Sequence, residues 1–406
     1  MIDTADRNFE PVDQFVDSAS ETMSAIRRRL HACPEPSGEE YATSAYLQET
    51  MSAVGLAARL TDTRRGVIVE PDRGGGRRIG MRADMDALRI ADGKDVPYRS
   101  TVPGVMHGCG HDAHSAIVAG AALALVAAER AGALPWPVRW RAIFQPAEET
   151  NQGAIEMVQA GAVEGLDAII SLHVDPSRRV GQVGIREGVF TAACDELEIR
   201  IEGRGGHAAR PHESLDPIAA AAQVISSIYL FVPRAVDSQD PVVVTIGQIR
   251  GGESPNVIPR EVVLRGTIRT LGGPVRAQTK DHIRQLARGL AEASGTRIEV
   301  GFRPGPEAVV NDAELTQLAR RAAADVTGAE GVQTIARPSM GGEDFANYLG
   351  ALPGCMFRLG CISELAGGPP LHSPLFDVDE RALAIGARIL ARMAVMWSRP
   401  EQGELE

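Results

Sequence analysis

The 406-residue sequence predicts an α/β protein, a central mixed sheet flanked by helices and interrupted by a smaller α+β domain. Three observations lead there. Strand-like and helix-like apolar patterns alternate through the first 180 or so residues; near residue 190 the pattern changes to β-α-β-β-α-β; after Pro304 the earlier alternation resumes. The expected division is a main domain built from 1–189 and 305–406, with an inserted ferredoxin-like satellite at 190–304.

The elements follow in order. Residues 18–30 and 37–54 have helical apolar spacing and are separated by the Pro34/Pro36 break. Short β-type runs follow at 66–70 and 79–82, then a long Ala-rich helix from about 112 to 130. A strand at 138–144, a helix around 153–160 and a buried-type strand at 168–173 complete the first part. In the satellite, 195–202 alternates as a strand and 216–233 reads as a helix. Strands at 241–249 and 262–270, a helix at 275–294 and a strand at 297–302 follow. Ligands of open α/β sheets gather at strand ends. Segments 82–86 and 145–149 and residue His173 all occupy strand exits, so candidate ligands converge.

Bulk composition narrows the function classes. With 44% hydrophobic and 23% charged residues the chain reads as an ordinary globular protein. A formal net charge of −11 and no Lys/Arg stripe argue against a nucleic-acid partner. No uninterrupted apolar run has membrane length, so no membrane partner is expected. Residues 1–17 are acidic and polar, unlike a secretory signal or transit peptide. Five cysteines, an odd number in a long chain, do not suggest a disulfide framework. A reducing cytoplasm is the expected compartment, and it keeps Cys109 available as a thiolate.

The run Met106-His107-Gly108-Cys109-Gly110-His111-Asp112-Ala113-His114 carries the most chemistry. It places a thiol and three imidazoles between glycines that let the backbone turn tightly. Cys109 and His111, two apart, can aim soft and borderline donors at one point, as a transition metal requires. In Phe144-Gln145-Pro146-Ala147-Glu148-Glu149, two carboxylates follow a strand. One can ligate metal while the other moves protons, the division that metal-assisted hydrolysis needs; a solvated helix start is the plainer reading. Asp84 and Asp86 share a face of an extended segment. Asp86 can orient a ligand imidazole, or both can belong to a salt-bridged loop with Arg82. His173, closing an apolar run, also reads as a core histidine, and His372, flanked by prolines, as a turn residue.

Several motifs then resemble one family in combination. They are Arg82–Leu88, Met106–His114, Phe144–Glu149, His173, the Gly205–His212 stretch, Asn256-Val257-Ile258-Pro259, Gly342-Glu343-Asp344-Phe345 and Leu371-His372-Ser373-Pro374. Their order is similar to that of the metal-dependent aminoacylase/carboxypeptidase amidohydrolases, which include hippurate hydrolase and the indole-acetyl-amino-acid hydrolases. The likeness extends from His31-Ala32-Cys33-Pro34-Glu35 to Asp377-Val378-Asp379-Glu380. It implies a zinc-exopeptidase-like main domain and a satellite that acts as lid or dimerisation domain. By the same resemblance Cys109, His111, Glu149, His173 and His372 are the ligands of two divalent ions, Zn²⁺ or Mn²⁺, with Co²⁺ or Ni²⁺ as further candidates. Glu148 would be the general base acting on a bridging water, with Asp86 behind His111. His207 would reach the oxyanion, in the other subunit of a homodimer or higher homo-oligomer. Asn256 and Arg269 would hold the substrate carboxylate; Arg265 and Arg269 also read as surface charges of a strand.

The implied reaction cleaves the amide C–N bond of a small N-acyl amino acid or related conjugate. Alternatives are a deaminase acting on an aromatic amine with the same scaffold, and a catalytically silent small-molecule-binding homologue. A nucleobase-type zinc deaminase would need Pro-Cys-x-x-Cys beside His-x-Glu, and neither occurs. The chain departs from the family pattern at Arg89, where proline usually stands, at Thr150-Asn151-Gln152-Gly153, a glycine run elsewhere, and at Gly342, often Ser. None of these removes a proposed ligand.

Overall fold

The computed structural model describes residues 9–71, 77–363 and 368–400; residues 1–8 of the acidic N-terminal stretch lie outside the described residues. In chain order the elements begin with α1 (Glu10–Ser18), α2 (Ser20–Ala32), α3 (Tyr41–Ala53), β1 (Ala57–Leu60), β2 (Val67–Glu70), β3 (Ile79–Asp84) and α4 (His111–Arg130). β4 (Trp140–Gln145), α5 (Gly153–Gln159), β5 (Ala168–Arg179), β6 (Val183–Ile185) and β7 (Gly188–Val189) follow. Next are β8 (Ala193–Glu202), β9 (Gly206–His207), α6 (Pro217–Ala235), β10 (Val242–Arg250) and β11 (Val257–Ile258). β12 (Glu261–Thr270), α7 (Gly273–Ser294), β13 (Arg297–Pro304), β14 (Val310–Asn311) and α8 (Ala313–Thr327) come after. β15 (Val332–Thr334), α9 (Ala346–Leu349), β16 (Gly354–Ile362) and α10 (Arg381–Trp397) complete the series. The chain forms two compact units. One takes the described residues of 1–188, 310–336 and 344–406; the other takes 189–309 and 337–343.

The first unit is built on an eight-stranded sheet of order β1-β2-β4-β3-β5-β16-β6-β15. It is mixed: β3 is parallel to β4 and β5, and β16 to β5, whereas β1–β2, β2–β4 and β16–β6 are antiparallel. Strands β3 and β4 are buried along their whole length, and β5 is buried from Ala168 to Val174, as strands covered on both faces must be. Being parallel and in register, β3 and β4 end at Asp84 and Gln145, and His173 of β5 lies level with them. The first eighteen residues of helix α4, Leu123 and Ala127 apart, are buried, and at Gly120 it packs so closely that a Cβ would lie 2.1 Å from Met23 Sδ.

The described structure differs from the sequence expectation in several places. Helix α1 was hidden by its acidic residues; its core contact is the i, i+4 pair Val12 and Val16. The helix read at 37–54 starts only at Tyr41, since 35–40 docks elsewhere. Strand β5 continues to Arg179 because β16 pairs with it that far. Among the described residues two helices, α4 and α6, are long and apolar enough to cross a membrane by length and composition. Neither contains an uninterrupted apolar run of membrane length. The α4 window is 89% buried in the unit's own core and the α6 window 28%.

The second unit holds a four-stranded antiparallel sheet of order β10-β12-β8-β13. With chain order β8-α6-β10-β12-α7-β13, this is the ferredoxin-like arrangement. Leu197, Ile199 and Ile201 on one face of β8 pack with Val224, Ile228 and Val232 of α6 and Ile283 of α7. Segment 337–343, which the sequence division assigned to the main domain, belongs here. The Ser339 amide donates to the Phe190 carbonyl at 2.9 Å, and Arg269 Nη1 donates to the Met340 carbonyl at 2.9 Å.

A buried ion cluster fixes the start of α4. Arg27 of α2, 1% exposed, donates from Nε to Asp112 Oδ2 at 3.0 Å and pairs with Asp377 and Glu380 near the start of α10. His31 Nδ1 lies 2.7 Å from the same Asp112 oxygen. Removing one partner of a buried pair strands the other in low dielectric. Arg27→Ala is therefore expected to lower the unfolding free energy of the metal-free protein by about 3–5 kcal/mol in urea denaturation; a loss under about 1 kcal/mol would show that water or nearby groups compensate Asp112.

Candidate metal centre

Each candidate donor is aimed by a local constraint. Gly110 has φ +90°, a left-handed conformation, and a Cβ there would lie 2.4 Å from Val174 Cγ2. That turn starts α4 at His111, directly after the buried Cys109. His111 Nδ1 is 3.0 Å from both the carbonyl and the Oδ1 of Asp86. Facing two acceptors, Nδ1 carries the proton and donates, which leaves Nε2 as a lone-pair donor. That Nε2 is buried with no hydrogen-bond partner among the described residues. His173 likewise donates from Nδ1 to the Val174 carbonyl at 2.7 Å, and its Nε2 lies 3.5 Å from Cys109 Sγ.

The remaining donors come from two loops. His372, with φ +65°, gives its amide to the Gly108 carbonyl at 2.8 Å. This bond joins the Pro370–Pro374 loop to the Cys109 loop. Its Nε2 lies 3.3 Å from Glu149 Oε1. Glu148 and Glu149 sit in a turn after β4 whose ends, Ala147 and Asn151, both have positive φ (51° and 56°). The Glu149 amide donates to Asp86 Oδ2 at 3.1 Å, and Glu148 Oε2 stands 3.9 Å from His111 Nε2.

Among the described residues five groups of three donors have their ligand atoms within 4.8 Å of one another: Cys109/His111/His173, Cys109/Glu149/His372 and His111/Glu148/Glu149 contain the expected ligands, and Asp84/His111/His114 and Glu148/Glu343/Asp344 flank them. The structure thus brings all five expected ligands to one place, in two triads that share the thiol, with Glu148 beside them. The unpartnered, buried Nε2 and the mixture of thiol, imidazole and carboxylate fit divalent transition ions.

In the metal-free protein, burial and neighbouring charge shift the titration of four of these donors. Burial pushes the Cys109 thiol well above its ordinary range. Burial also opposes a charge on His111, but Asp84, Cys109 and Asp86 outweigh it and hold its pKa well above the usual value. The Glu149 hydrogen bond raises His372. Protons therefore occupy the places where metal would bind, and loading must displace them. His173 stays neutral, because burial and then the nearby Arg358 lower it.

The other side chains of the motif have different tasks. His114 Nδ1 lies 2.6 Å from Asp84 Oδ1, and its Nε2 accepts the Val174 amide at 2.9 Å. Both ring nitrogens are taken, so His114 buttresses the strand carrying His173. Asp84 also accepts from Arg82 at 2.8 Å, and Arg82 bonds Asp344 at 2.8 Å and Gln145 at 2.8 Å. The two open readings of the Asp pair are thereby split: Asp84 joins the salt bridges, Asp86 holds the imidazole. His107 is buried, with neither ring nitrogen hydrogen-bonded among the described residues.

His207, Asn256 and Arg269 lie in the second unit. Val257 of β11 pairs with His207 of β9, and the Ala208 amide donates to the Asn256 carbonyl at 3.1 Å. His207 and Asn256 line a groove of about 1250 Å³, to whose lining Arg269 does not contribute. Sequence reasoning missed Ser37, whose Oγ donates to Asp86 Oδ2 at 2.6 Å, and Glu40 beside it. Ser-Gly-Glu-Glu before a helix looks like an ordinary capping segment, so no chemical signal singled them out.

Comparison with known proteins gives the family. The family model described as Peptidase family M20/M25/M40 matches residues 80–396. The chain is 38% identical over 363 residues to N-acetyl-L-cysteine deacetylase of Bacillus subtilis, covering 89% of this chain and 84% of that protein. It is 37% identical over 381 residues to IAA-amino acid hydrolase ILR1-like 4 of Arabidopsis thaliana, covering 92% and 85%. Among solved structures, the Bacillus subtilis YXEP protein, described as a dinuclear metal binding peptidase from the M20 family, superposes with a TM-score of 0.80 at 34% identity. That match covers 94% of this chain and 98% of the other.

Burial lowers His107 to about 4, from 6.5 in an unfolded chain. The unfolded state therefore takes up the proton first, and the stability this residue contributes is complete above pH 6.5 and lost as pH falls toward 4. In the metal-free protein, His107→Gln should remove about 3 kcal/mol of acid destabilisation across that window, read as the difference between wild-type and variant denaturation curves. Parallel curves would contradict a buried neutral His107.

Proposed function

The chain belongs to peptidase family M20/M25/M40 and is thereby a metal-dependent hydrolase of amide bonds; we propose that it cleaves the amide C–N bond of small N-acyl amino acids. The observation that carries this reading is the pair of donor triads sharing Cys109, with the Glu148 carboxylate 3.9 Å from His111 Nε2. On this reading Cys109, His111, Glu149, His173 and His372 hold two divalent ions, which when bound supply Lewis acidity and ease the ionisation of water. A thiolate ligand favours Zn²⁺, while the carboxylates suit Mn²⁺, with Co²⁺ and Ni²⁺ as substitutes.

Glu148 takes the proton of the attacking water and delivers it to the departing nitrogen, so the leaving group departs as a neutral amine. Asp86 keeps Nδ1 of His111 protonated and its ring fixed. Asn256 and Arg269 grip the substrate carboxylate; the guanidinium keeps free donors beyond the one given to Met340. His207 donates to the tetrahedral oxyanion of the other subunit in a homodimer. That dimer is supported by α6, which exposes Ile218, Tyr229, Leu230 and Phe231, and by edge strand β10, which exposes Val243 and Ile249. A two-fold pairing would cover both. All five cysteines are free, consistent with a reducing, cytoplasmic setting. The deaminase and silent-homologue alternatives are not favoured, since the acyl-amino-acid hydrolases it matches do so along nearly their whole length.

Glu148→Gln should keep both metals by elemental analysis and lose ~10²–10⁴-fold in kcat on an N-acyl amino acid panel; near wild-type turnover would remove Glu148 from the base role. Leu230→Asp should shift the protein toward monomer in analytical ultracentrifugation and lower activity together with the dimer. A fully active monomer would refute the shared site.

A further inference from the structure

Segment 35–40, between α2 and α3, belongs to none of the roles above, yet it reaches the catalytic turn. The Glu40 side chain is fully buried. Its Oε1 accepts the Gly38 amide at 2.8 Å and, 107 positions along the chain, the Ala147 amide at 2.9 Å. Oε2 is buried with no hydrogen-bond partner among the described residues. Burial pushes this carboxyl up to about 7, with Asp86 adding to the rise and the Gly38 and Ala147 amides opposing it. A buried carboxyl in so unfavourable a setting is more characteristic of a functional site than of a plain capping residue.

What Glu40 holds is a strained point. Ala147, directly before Glu148, has φ +51°, a region that residues with a Cβ avoid. Its carbonyl is held from the other side by the amides of Gln152 and Gly153, at 3.3 and 3.2 Å. At Gly153 a Cβ would stand 1.5 Å from the Pro146 oxygen, so the turn closes only with glycine there. Two residues on, the Glu149 amide is held by Asp86, to which Ser37 of the same segment also donates. The turn is therefore pinned at Ala147 and at Glu149 by two carboxylates, and each carboxylate also bonds segment 35–40.

We propose that Glu40 is a positioning residue of the hydrolytic site, whose carboxylate holds the Ala147 amide and so fixes the turn that aims Glu148 and Glu149. The inference rests on the base and ligand roles given to those two residues. Glu40 touches no reacting atom. Its effect falls on where the Glu148 oxygens stand, and a displacement of the order of 1 Å typically costs about 10²-fold in rate.

The test compares Glu40→Ala, Glu40→Gln and the double variant Glu40→Ala/Ala147→Gly. Readouts are metal content, kcat and KM on an N-acetyl amino acid that the wild type hydrolyses, and hydrogen exchange of the Ala147 amide in metal-free protein. Glu40→Ala should lose roughly 10–100-fold in kcat with KM and metal content little changed, and its Ala147 amide should lose protection. Glu40→Gln keeps an acceptor oxygen and should retain most of kcat and protection. Glycine at 147, tolerating positive φ without the clamp, should restore part of the loss. Glu40→Ala with wild-type kcat, or Glu40→Gln falling as far as Glu40→Ala, overturns the proposal. If Glu40→Ala does not fold, Glu40→Gln decides alone: protected and active supports it, unprotected or inactive overturns it. Glu148→Gln run alongside separates the two levels, because a still-active Glu148→Gln refutes the base assignment, while Ala147 exchange still reports whether Glu40 holds the turn.

Discussion

One carboxylate organises the centre. Asp86 Oδ1 fixes the His111 ring, while Oδ2 accepts from Ser37 Oγ and from the Glu149 amide. Three parts of the chain that are remote in sequence therefore meet on a single buried group. Burial alone would push its pKa up, but the His111 hydrogen bond, with Ser37 and the Glu149 amide, holds it below the usual range. A charge kept ionised by donors on every side is a rigid anchor, since moving any one donor leaves the others unsatisfied. Ligand geometry, the turn of the base and the docking of the α2–α3 connection are consequently one property of the fold.

Two further buried charge clusters brace this anchor. On one side Arg82 links Asp84, Gln145 and Asp344, and Asp84 passes the constraint through His114 to the Val174 amide next to His173. On the other, Arg27 and His31 converge on Asp112, the residue after His111. Buried ion pairs contribute little net stability compared with apolar packing. Their value here is orientation: one ends on Asp112, next to His111, and the other on the Val174 amide, next to His173. The strongly shifted titrations around the centre follow from that crowding of charge in a dry place.

The sequence disclosed what depends on local pattern and on unusual residue combinations. Strands β3, β4 and β5 were legible as short apolar runs, α4 as an Ala-rich stretch, and the donors as a Cys/His cluster, a Glu pair and two histidines at strand or loop exits. Parallel strands deliver their ends to one edge, so those exits converge without further information. What stayed hidden depends on contacts between distant segments. Ser37 and Glu40 carry no chemical signature apart from the residues they hold, and His114 looks like a ligand until Asp84 and the Val174 amide occupy it. The 337–343 stretch joined the second unit through hydrogen bonds of its own backbone groups, from Arg269 and to Phe190, that no local pattern announces. Helix α1 was concealed because its acidic residues outweigh its narrow apolar contact of Val12 and Val16.

Everything else rests on the proposal that Cys109, His111, Glu149, His173 and His372 would hold two divalent ions, and anomalous diffraction from crystals of the metal-loaded protein tests it most directly. Two anomalous peaks are expected, one beside His111 and His173 and the other beside Glu149 and His372, each within reach of the Cys109 sulfur. A single peak, or one seated between Asp84 and His114 with the thiol unligated, would contradict it.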